Sequence, residues 1–299
     1  MAESREISGD DGRGRRDAII ALFTGALIWG VIWYPYRMLR DAGVDGIAAT
    51  TATYSVAFMI GLVFMRRSLS GFKPRWILLW LALAAGGCNL GYVLATLNGE
   101  VVRVLLLFYL APLWTVFLSR LLLGEQLNRF GVFVIALSLA GAATILWHPD
   151  LGFPVPHDVA DWLGLFAGFS FALFNVLSRF ARRITIETKS MVAFLGVVVI
   201  GGLLMLAGVG TPALPAAPFP WVLILVVGGV LVLANLIVQF GLVRIAANRA
   251  IVIMLSEVGF AAVSSWLLAG EYFGPREAIG GVMILIASIF SSRMESKGA

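Results

Sequence analysis

The stretch from Arg103 to Glu125 constrains the fold of this chain most, because it is an apolar run of membrane-spanning length that ends in Leu-Leu-Leu-Gly-Glu. A shift of 146 residues aligns polar and glycine residues in and near this stretch with identical residues of a later apolar run: Asn89 with Asn235, Arg103 with Arg249, Gly124 with Gly270, and Glu125 with Glu271. Apolar composition alone does not explain a constant offset between polar residues. The sequence therefore predicts a duplicated membrane protein.

Composition places the chain in a lipid bilayer. Hydrophobic residues make up 60% of the sequence and charged residues 13%, whereas about a quarter of the residues of a soluble domain are charged. The apolar runs approach the roughly 20 residues that a helix needs to cross a membrane, and exceed the roughly 10 of a barrel strand. We expect an all-α polytopic membrane protein, in which the small-residue motifs Gly87-x-x-x-Gly91 and Gly164-x-x-x-Gly168 form close helix contacts.

Cutting the apolar runs at charged residues, glycine and proline predicts ten transmembrane helices. They are Ala18 to Tyr34, Ile47 to Met65, Trp76 to Leu94, Val101 to Leu123, Phe130 to Trp147, Trp162 to Phe180, Thr188 to Val209, Trp221 to Val243, Ala250 to Ala269, and Ala278 to Phe290. The chain then divides into a disordered cytoplasmic tail (1–17), a first five-helix repeat (18–147), an outside connection (148–161), a second five-helix repeat (162–292) and a cytoplasmic tail (293–299).

The basic residues predict the orientation of these helices, because cytoplasmic segments retain Lys and Arg. In the ten-helix arrangement, 18 of the 22 Lys and Arg residues lie on one side of the membrane and four on the other. The four are Arg37, Arg40, Arg103 and Arg276. Both termini are therefore expected in the cytoplasm. Since five is an odd number, the second half crosses the membrane in the opposite sense to the first, and the repeats are inverted.

The sequence lacks the signals of several other functions. Cys88 is its single cysteine, which rules out an intramolecular disulfide and a cysteine metal cluster. His148 and His157 have no acidic partners at metal-binding spacing, so no metal site is predicted. No P-loop, cofactor fingerprint or nucleic-acid motif occurs, and any driving force for transport must come from gradients. The apolar runs contain no paired acids and no nucleophile with its base, so we do not expect an enzyme.

Several motifs resemble those of the drug/metabolite transporter superfamily in its EamA-type branch. They are Trp29-Gly30 in the first helix, Pro112-Leu113-Trp114 in the fourth, and the Gly-Glu endings at Glu125 and Glu271. Within that branch the chain is most similar to bacterial inner-membrane aromatic amino-acid exporters. The resemblance implies a carrier in the inner membrane, with a central cavity open alternately to either side, that exports small metabolites. The second half departs from the pattern, because Val258-Gly259-Phe260 stands where the first half has Pro112-Leu113-Trp114.

Glu257 is the sharpest candidate for a functional residue, because it lies near the middle of the predicted ninth helix. A charge at that depth costs about 2.5–3.5 kcal/mol on insertion scales, so Glu257 should face a wet cavity or a partner. The functional interpretation is a contact to a substrate ammonium group or a protonation switch. The alternative is a carboxyl group hydrogen-bonded to a neighbouring helix.

Amide side chains form a second group of candidates. Asn89 and Tyr92 share one helix face, and Asn235 and Gln239 share another at repeat-equivalent positions. We expect them to line the cavity near the pseudo-axis; as the alternative, the amides hold neighbouring helices together, at about 0.6–2 kcal/mol each. Asn175 in the sixth helix has the same two interpretations.

Aromatic and helix-end residues complete the candidates. Trp33, Tyr92 and Tyr109 lie deep enough to stack against a flat substrate, although ordinary packing explains them equally well. Met254, one turn before Glu257, offers an adaptable apolar wall. Four charged residues are assigned to helix ends, with gating as a secondary role: Arg103, Glu125, Arg249 and Glu271.

The preferred function is a secondary transporter that exports aromatic or related amino acids by alternating access. A broader exporter of drugs or metabolites is the alternative within transport, since an aromatic cage with Glu257 suits cations. A membrane scaffold is a different class, but a scaffold would not need polar residues along its interior.

Overall fold

A computed structural model describes residues 3–64, 75–124, 129–147, 155–181, 183–210, 217–244, 253–272 and 274–295. These ranges form twelve helices: α1 (Glu3–Val31), α2 (Trp33–Asp41), α3 (Gly46–Phe64), α4 (Trp76–Asn98), α5 (Val101–Phe108), α6 (Ala111–Leu123), α7 (Arg129–Leu146), α8 (Val159–Phe180), α9 (Ile186–Leu206), α10 (Pro218–Arg244), α11 (Ser256–Ala269) and α12 (Pro275–Glu295).

Seven segments of the described ranges are long and apolar enough to cross a membrane. They are Arg16–Asp41, Gly46–Phe64, Trp76–Asn98, Val101–Leu123, Val159–Phe180, Ile186–Leu206 and Pro218–Leu242. Gly131–Leu146 and Ser256–Ala269 are shorter apolar helices. Large apolar side chains such as Phe64 (79% exposed) and Leu206 (86% exposed) point away from the protein, as lipid-facing residues do. The regular secondary structure of the described residues is thus helical, as in a multi-pass membrane protein.

Two of the spans are interrupted just before a proline. A proline at position i has no N–H for the carbonyl of residue i−4, so it breaks the helical hydrogen-bond pattern there. Pro35 leaves Val31 without its partner, and the chain breaks between α1 and α2 at Ile32. Pro112 leaves Phe108 without its partner, and Tyr109 and Leu110 separate α5 from α6.

The Gly-Glu endings of the two halves terminate their helices in the same way. Gly124 after α6 and Gly270 after α11 have φ values of +69° and +64°, in the left-handed region that favours glycine. Their N–H groups donate to the carbonyls of Ser119 and Ser265 respectively. The sequence motif therefore corresponds to a helix stop of one geometry in both halves.

The helices pack as two bundles with further helices between and beside them. In the first bundle, α1 packs against α10 and α11, and α2 continues from α1; in the second, α8 packs against α4, α5 and α6. Helices α3 and α9 pack against each other and join α10 to α4, while α7 packs against α12. Each bundle therefore combines helices from both halves of the sequence.

Glycines bring the helices of the second bundle together. A Cβ atom on Gly91 would lie 3.4 Å from the Leu163 carbonyl oxygen of α8, and one on Gly168 would lie 2.5 Å from that of Phe108. The prediction that these small-residue motifs form close helix contacts is confirmed.

Several helix starts differ from the sequence expectation. Helix α8 begins at Val159 because the Asp158 side chain accepts a hydrogen bond from the Asp161 N–H at 2.8 Å and caps the first turn. Helix α10 begins at Pro218, a position in the first turn where a missing N–H costs nothing. Helix α1 extends back to Glu3, into the segment predicted as a tail.

Candidate functional site

The break between α5 and α6 places Tyr109 at the interface of the two bundles. The Phe108 carbonyl, which has no helical partner because of Pro112, lies against Gly168 of α8, where only a glycine leaves room for it. This contact fixes the break against α8. The Tyr109 side chain extends to the first bundle, where its hydroxyl donates a hydrogen bond of 3.1 Å to Glu257 Oε2.

Glu257 occupies the first turn of α11. Leu255, the N-cap residue of this helix, has helical backbone angles itself. A carboxylate in the first turn of a helix is stabilised by the helix dipole, which offsets part of the cost of placing it there. Helix α1 packs directly behind it, since a Cβ on Gly30 would lie 2.8 Å from the Glu257 carbonyl oxygen. The backbone of Glu257 is thus held by α1, and its half-buried side chain reaches the second bundle.

Aromatic rings from the second bundle lie beside this carboxylate. Phe108 contacts Tyr92 and Phe171 with ring centroids 5.7 and 5.2 Å apart, and Tyr109 follows at 5.9 Å. Tyr92 is only 8% exposed, and among the described residues its hydroxyl has no hydrogen-bond partner. We call Glu257, Tyr92, Phe108, Tyr109 and Phe171 the central cluster. It combines one carboxylate with flat apolar surface, which suits a ligand with an ammonium group and a ring.

The two amides at repeat-equivalent positions contact neighbouring helices. The Tyr54 hydroxyl of α3 donates to Asn89 Oδ1, and Asn89 Nδ2 donates to the Ala85 carbonyl at 2.8 Å. In the other half, the Ser190 hydroxyl of α9 donates to Asn235 Oδ1 at 3.1 Å. Both amides therefore make the helix-to-helix contacts that the alternative interpretation expects, and their role as substrate ligands stays a prediction.

The remaining predicted ligands lie in different environments. Trp33 is fully buried, and its Nε1 donates to Ser264 of α11 at 3.1 Å, so its ring is packed within the first bundle. Met254 packs near Ala18 and Leu22 of α1. Asn175 on α8 and Gln239 on α10 are half-buried. The central cluster does not include any of these four residues.

A network of charged residues lies at one end of the bundles. Glu271, just after α11, forms an ion pair with Arg37 of α2 at 2.7 Å through one oxygen. Its other oxygen accepts a hydrogen bond of 2.8 Å from the Val101 N–H at the start of α5. Arg37 in turn donates to the carbonyls of Thr96 and Gly99, at 2.9 and 2.8 Å. The Arg37–Glu271 pair therefore holds the turn between α4 and α5 through backbone atoms.

Arg103 lies at the same end of the bundles but does not contact the Arg37–Glu271 pair through its own hydrogen bonds. It forms two hydrogen bonds to Asp161 of α8, at 2.7 and 2.8 Å, and one of 3.1 Å to the Ile145 carbonyl. Glu277 of α12 lies 3.9 Å away. Asp161 is 1% exposed. Arg103 thus joins α5 to α8, α7 and α12 at the helix ends.

Sequence reasoning missed Asp161, which it placed in the connection between the halves. The signal was present, because an acidic residue three positions after Asp158 and ahead of an apolar run is a helix-start pattern. Glu125 and Arg249, also predicted as helix-end residues, lie outside the described residues.

A surface pocket of about 460 Å³ opens at this end of the molecule. It is lined by Asn98, Gly99, Glu100, Arg103, Val104, His157, Asp158, Ala160, Asp161 and Glu271. Glu100 lies in the turn between α4 and α5, outside the spanning segments. Burial raises the pKa of its carboxyl above the ordinary value, and the carboxylates of Glu271 and Glu277 raise it further. The pocket is therefore rich in carboxylates, beside the Arg37–Glu271 pair.

Comparison with known proteins identifies a protein family whose sequence pattern this chain matches. A model of the EamA-like transporter family matches residues 17–147 and, a second time, residues 159–293. A solved crystal structure superimposes with a TM-score of 0.62 at 17% sequence identity, covering 94% of this chain and 97% of that one. That likeness is in the fold.

Two relatives of low identity are named as transporters, and a third is named RarD. An uncharacterized transporter of Archaeoglobus fulgidus is 26% identical over 286 residues, covering 91% of this chain and 95% of that protein. YojE of Bacillus subtilis, an uncharacterized transporter, is 25% identical over 223 residues, covering 71% and 72%. The RarD protein of Salmonella typhi is 24% identical over 188 residues, and the match covers 60% of this chain and 60% of RarD.

Proposed function

The chain belongs to the EamA-like transporter family, and we propose that it is a secondary transporter that exports aromatic or related amino acids by alternating access. Family and relatives make it a transporter and not an enzyme. The proposal concerns what it carries and how.

The single observation that carries the substrate proposal is the Tyr109–Glu257 hydrogen bond within the central cluster. An amino acid with an aromatic side chain presents an ammonium group and a flat ring. The ammonium group would replace Tyr109 as a partner of the Glu257 carboxylate, while the ring would stack on Phe108 and its neighbours. The unpartnered Tyr92 hydroxyl is available to donate to the substrate carboxylate.

The pattern of contacts between helices supports an inverted repeat and, with it, alternating access. Exchanging each helix of one half with its counterpart in the other converts the α1–α10 contact into α8–α4, and the α1–α11 contact into α8 with α5 and α6. The contacts α3–α9 and α7–α12 each join two counterparts. Under this exchange the two bundles are equivalent, and their relative motion about the central cluster would open one side and close the other.

The arginine distribution supports the orientation. With ten spans, the 18-to-4 division of basic residues supports an orientation in which both termini lie in the cytoplasm, and we propose that the membrane is the bacterial inner membrane. The Arg37–Glu271 end then faces outside, and export runs toward it.

Counterflow in proteoliposomes tests the proposal. Vesicles preloaded with unlabelled tryptophan should accumulate labelled tryptophan, and Glu257→Gln should slow this exchange about tenfold or more, because a charge-assisted contact is lost. The matched control is Glu187→Gln, the same change at an exposed position on α9, which should retain the exchange rate. Absence of exchange with tryptophan, phenylalanine and tyrosine, or a wild-type rate for Glu257→Gln, contradicts the proposal.

An exporter of organic cations is the second candidate. One observation favours it: among the described residues, no basic side chain forms an ion pair with Glu257, so the central cluster presents a negative charge and aromatic faces. The same proteoliposomes separate the candidates, since a cation exporter would exchange labelled tetraphenylphosphonium and leave tryptophan outside.

A further inference from the structure

We propose that Arg37 and Glu271 form a gate that closes the interface between the two bundles at one end, and that opening this gate connects the central cluster to the outside. The inference rests on the proposed alternating access and deepens it. We call the two residues the Arg37–Glu271 clamp.

The clamp belongs to the first bundle and holds the second. Arg37 lies on α2 and Glu271 follows α11, and both are helices of the first bundle. The atoms that they hold belong to the second bundle: the Thr96 carbonyl at the end of α4, the Gly99 carbonyl in the turn that follows, and the Val101 N–H at the start of α5. The bonds therefore cross the interface between the bundles and must break if the two bundles separate at this end.

The composition of the clamp fits a contact that opens. The Arg37 and Glu271 side chains remain 16% and 15% exposed, and Glu271 lines the water-accessible pocket. Water can therefore form hydrogen bonds to these side chains when their contacts break, which lowers the free-energy cost of opening the gate. Asp161 lines the same pocket, but it is only 1% exposed and bonds through both oxygens to Arg103, within the second bundle, so this contact does not have to break when the bundles separate.

One helix connects the clamp to the central cluster. Glu257 is in the first turn of α11 and Glu271 follows its last residue, so the helix's 14 residues separate them by about 21 Å. The Tyr109–Glu257 bond also crosses from the second bundle to the first. The same bundle interface is therefore closed by a bond at its centre and by the clamp at its end, and α11 contributes a residue to both.

Cys88 provides a natural reporter for the gate. It is the single cysteine of the chain, it is half-buried on α4, and it lies one helical turn before Tyr92 of the central cluster. A membrane-impermeant methanethiosulfonate reagent reaches it from the outside only when that side of the interface is open. The modification rate therefore measures the outward-open fraction without any substrate.

The test compares modification rates of Cys88 in right-side-out and inside-out membrane vesicles. Glu271→Gln should raise the rate from the outer side about tenfold, since it weakens one charge-assisted contact. Arg37→Gln should do the same, and the increase in the double variant should fall short of the product of the two single increases, because the ion pair that both variants remove is lost only once. The matched control is Asp41→Asn, which breaks the Arg40–Asp41 pair of adjacent residues on α2 and should leave the rate unchanged. Cys88→Ser gives the background.

Three results would overturn the gate: an unchanged rate in Glu271→Gln, an equal increase in Asp41→Asn, or an increase from the inner side only. If Glu271→Gln does not fold, Arg37→Gln decides, because it leaves the Val101–Glu271 bond in place. Failure of the gate is distinguishable from failure of the proposed function. Normal tryptophan counterflow with unchanged labelling rejects the gate alone, and increased labelling without counterflow rejects the substrate alone.

Discussion

Two acidic residues within the helical part of this chain have contrasting surroundings. Asp161 is bonded through both oxygens to Arg103, and one of them also accepts from the His157 N–H at 3.1 Å. Its charge is compensated by Arg103, and replacing it would leave the partly buried Arg103 with only the more distant Glu277 carboxylate, at 3.9 Å, as an anionic partner. Glu257 accepts a hydrogen bond from a neutral hydroxyl instead. A carboxylate whose partner is neutral retains its attraction for a cation, which is why Glu257 and not Asp161 is the candidate ligand.

The Glu100 carboxyl gives a prediction about the stability of the folded protein. Its pKa is raised in the folded protein by burial and by Glu271 and Glu277. The charged form therefore destabilises the fold, and stability falls as the pH rises from the ordinary pKa through the raised one. Glu100→Gln should raise the thermal unfolding midpoint by about 1–2 °C near pH 7.5, a small effect because the group is largely exposed.

The pH dependence is the check on this explanation. Near pH 3.5, where the carboxyl is mostly protonated in both states, Glu100→Gln and the wild type should unfold at about the same temperature. Glu187→Gln, an exposed glutamate on another helix, should not raise the midpoint at either pH. An equal rise at both pH values for Glu100→Gln would mean that packing, and not charge, is responsible.

At the scale of helices, the α5–α6 break positions Tyr109, and its packing depends on Gly168. A Cβ there would lie 2.5 Å from the Phe108 carbonyl oxygen and 3.1 Å from the Phe108 Cα, both backbone atoms that cannot rotate away. Gly168→Ala should therefore push α8 from the break at a cost of about 1–3 kcal/mol and lower the unfolding midpoint by about 3–6 °C.

Gly202 on α9 is the matched control, because a Cβ there meets nothing within 4 Å. Gly202→Ala should leave the midpoint unchanged or raise it slightly, since alanine favours the helix. The two variants, compared by thermal unfolding in detergent, separate close packing from helix propensity. Equal effects of the two substitutions would contradict the role assigned to Gly168.

The sequence predicted helix ends well where local chemistry decides them. Gly124 and Gly270 stop their helices as predicted, because a glycine tolerates the left-handed conformation at a helix end. The break at Tyr109 was not predicted, since the apolar run was interpreted as one helix from Val101 to Leu123, although it follows from the local effect of Pro112 on the preceding turn. By contrast, the Arg103–Asp161 pair joins residues 58 positions apart. Hydropathy patterns contain no information on such a pairing, so Arg103 was interpreted as a helix-end residue with a secondary role in gating, and its partner was not identified.

For the whole molecule, the repeat was visible in the sequence but the bundles were not. The offset of 146 residues aligns Arg103 with Arg249 and Gly124 with Gly270, which identifies counterparts without saying what packs against what. In the structure, α1 of the first half packs with α10 and α11 of the second. The halves are thus units of sequence, whereas the bundles are units of packing. Tyr109 and Glu257 come from different halves and from different bundles, and they meet where α5 packs against α11 across the interface between the bundles.

The orientation of the whole chain gives the last prediction. Retention of Lys and Arg in the cytoplasm predicts an odd number of crossings before residue 156 and an even number before the C-terminus. Alkaline phosphatase, active only outside, should therefore be active when fused after residue 156 and inactive after residues 72 and 299. Green fluorescent protein, which folds inside, should give the reverse pattern at all three sites. Inactive alkaline phosphatase after residue 156 would mean that both halves enter the membrane from the same side and cross it in the same sense, and the Arg37–Glu271 end would then lose its assignment to the outside.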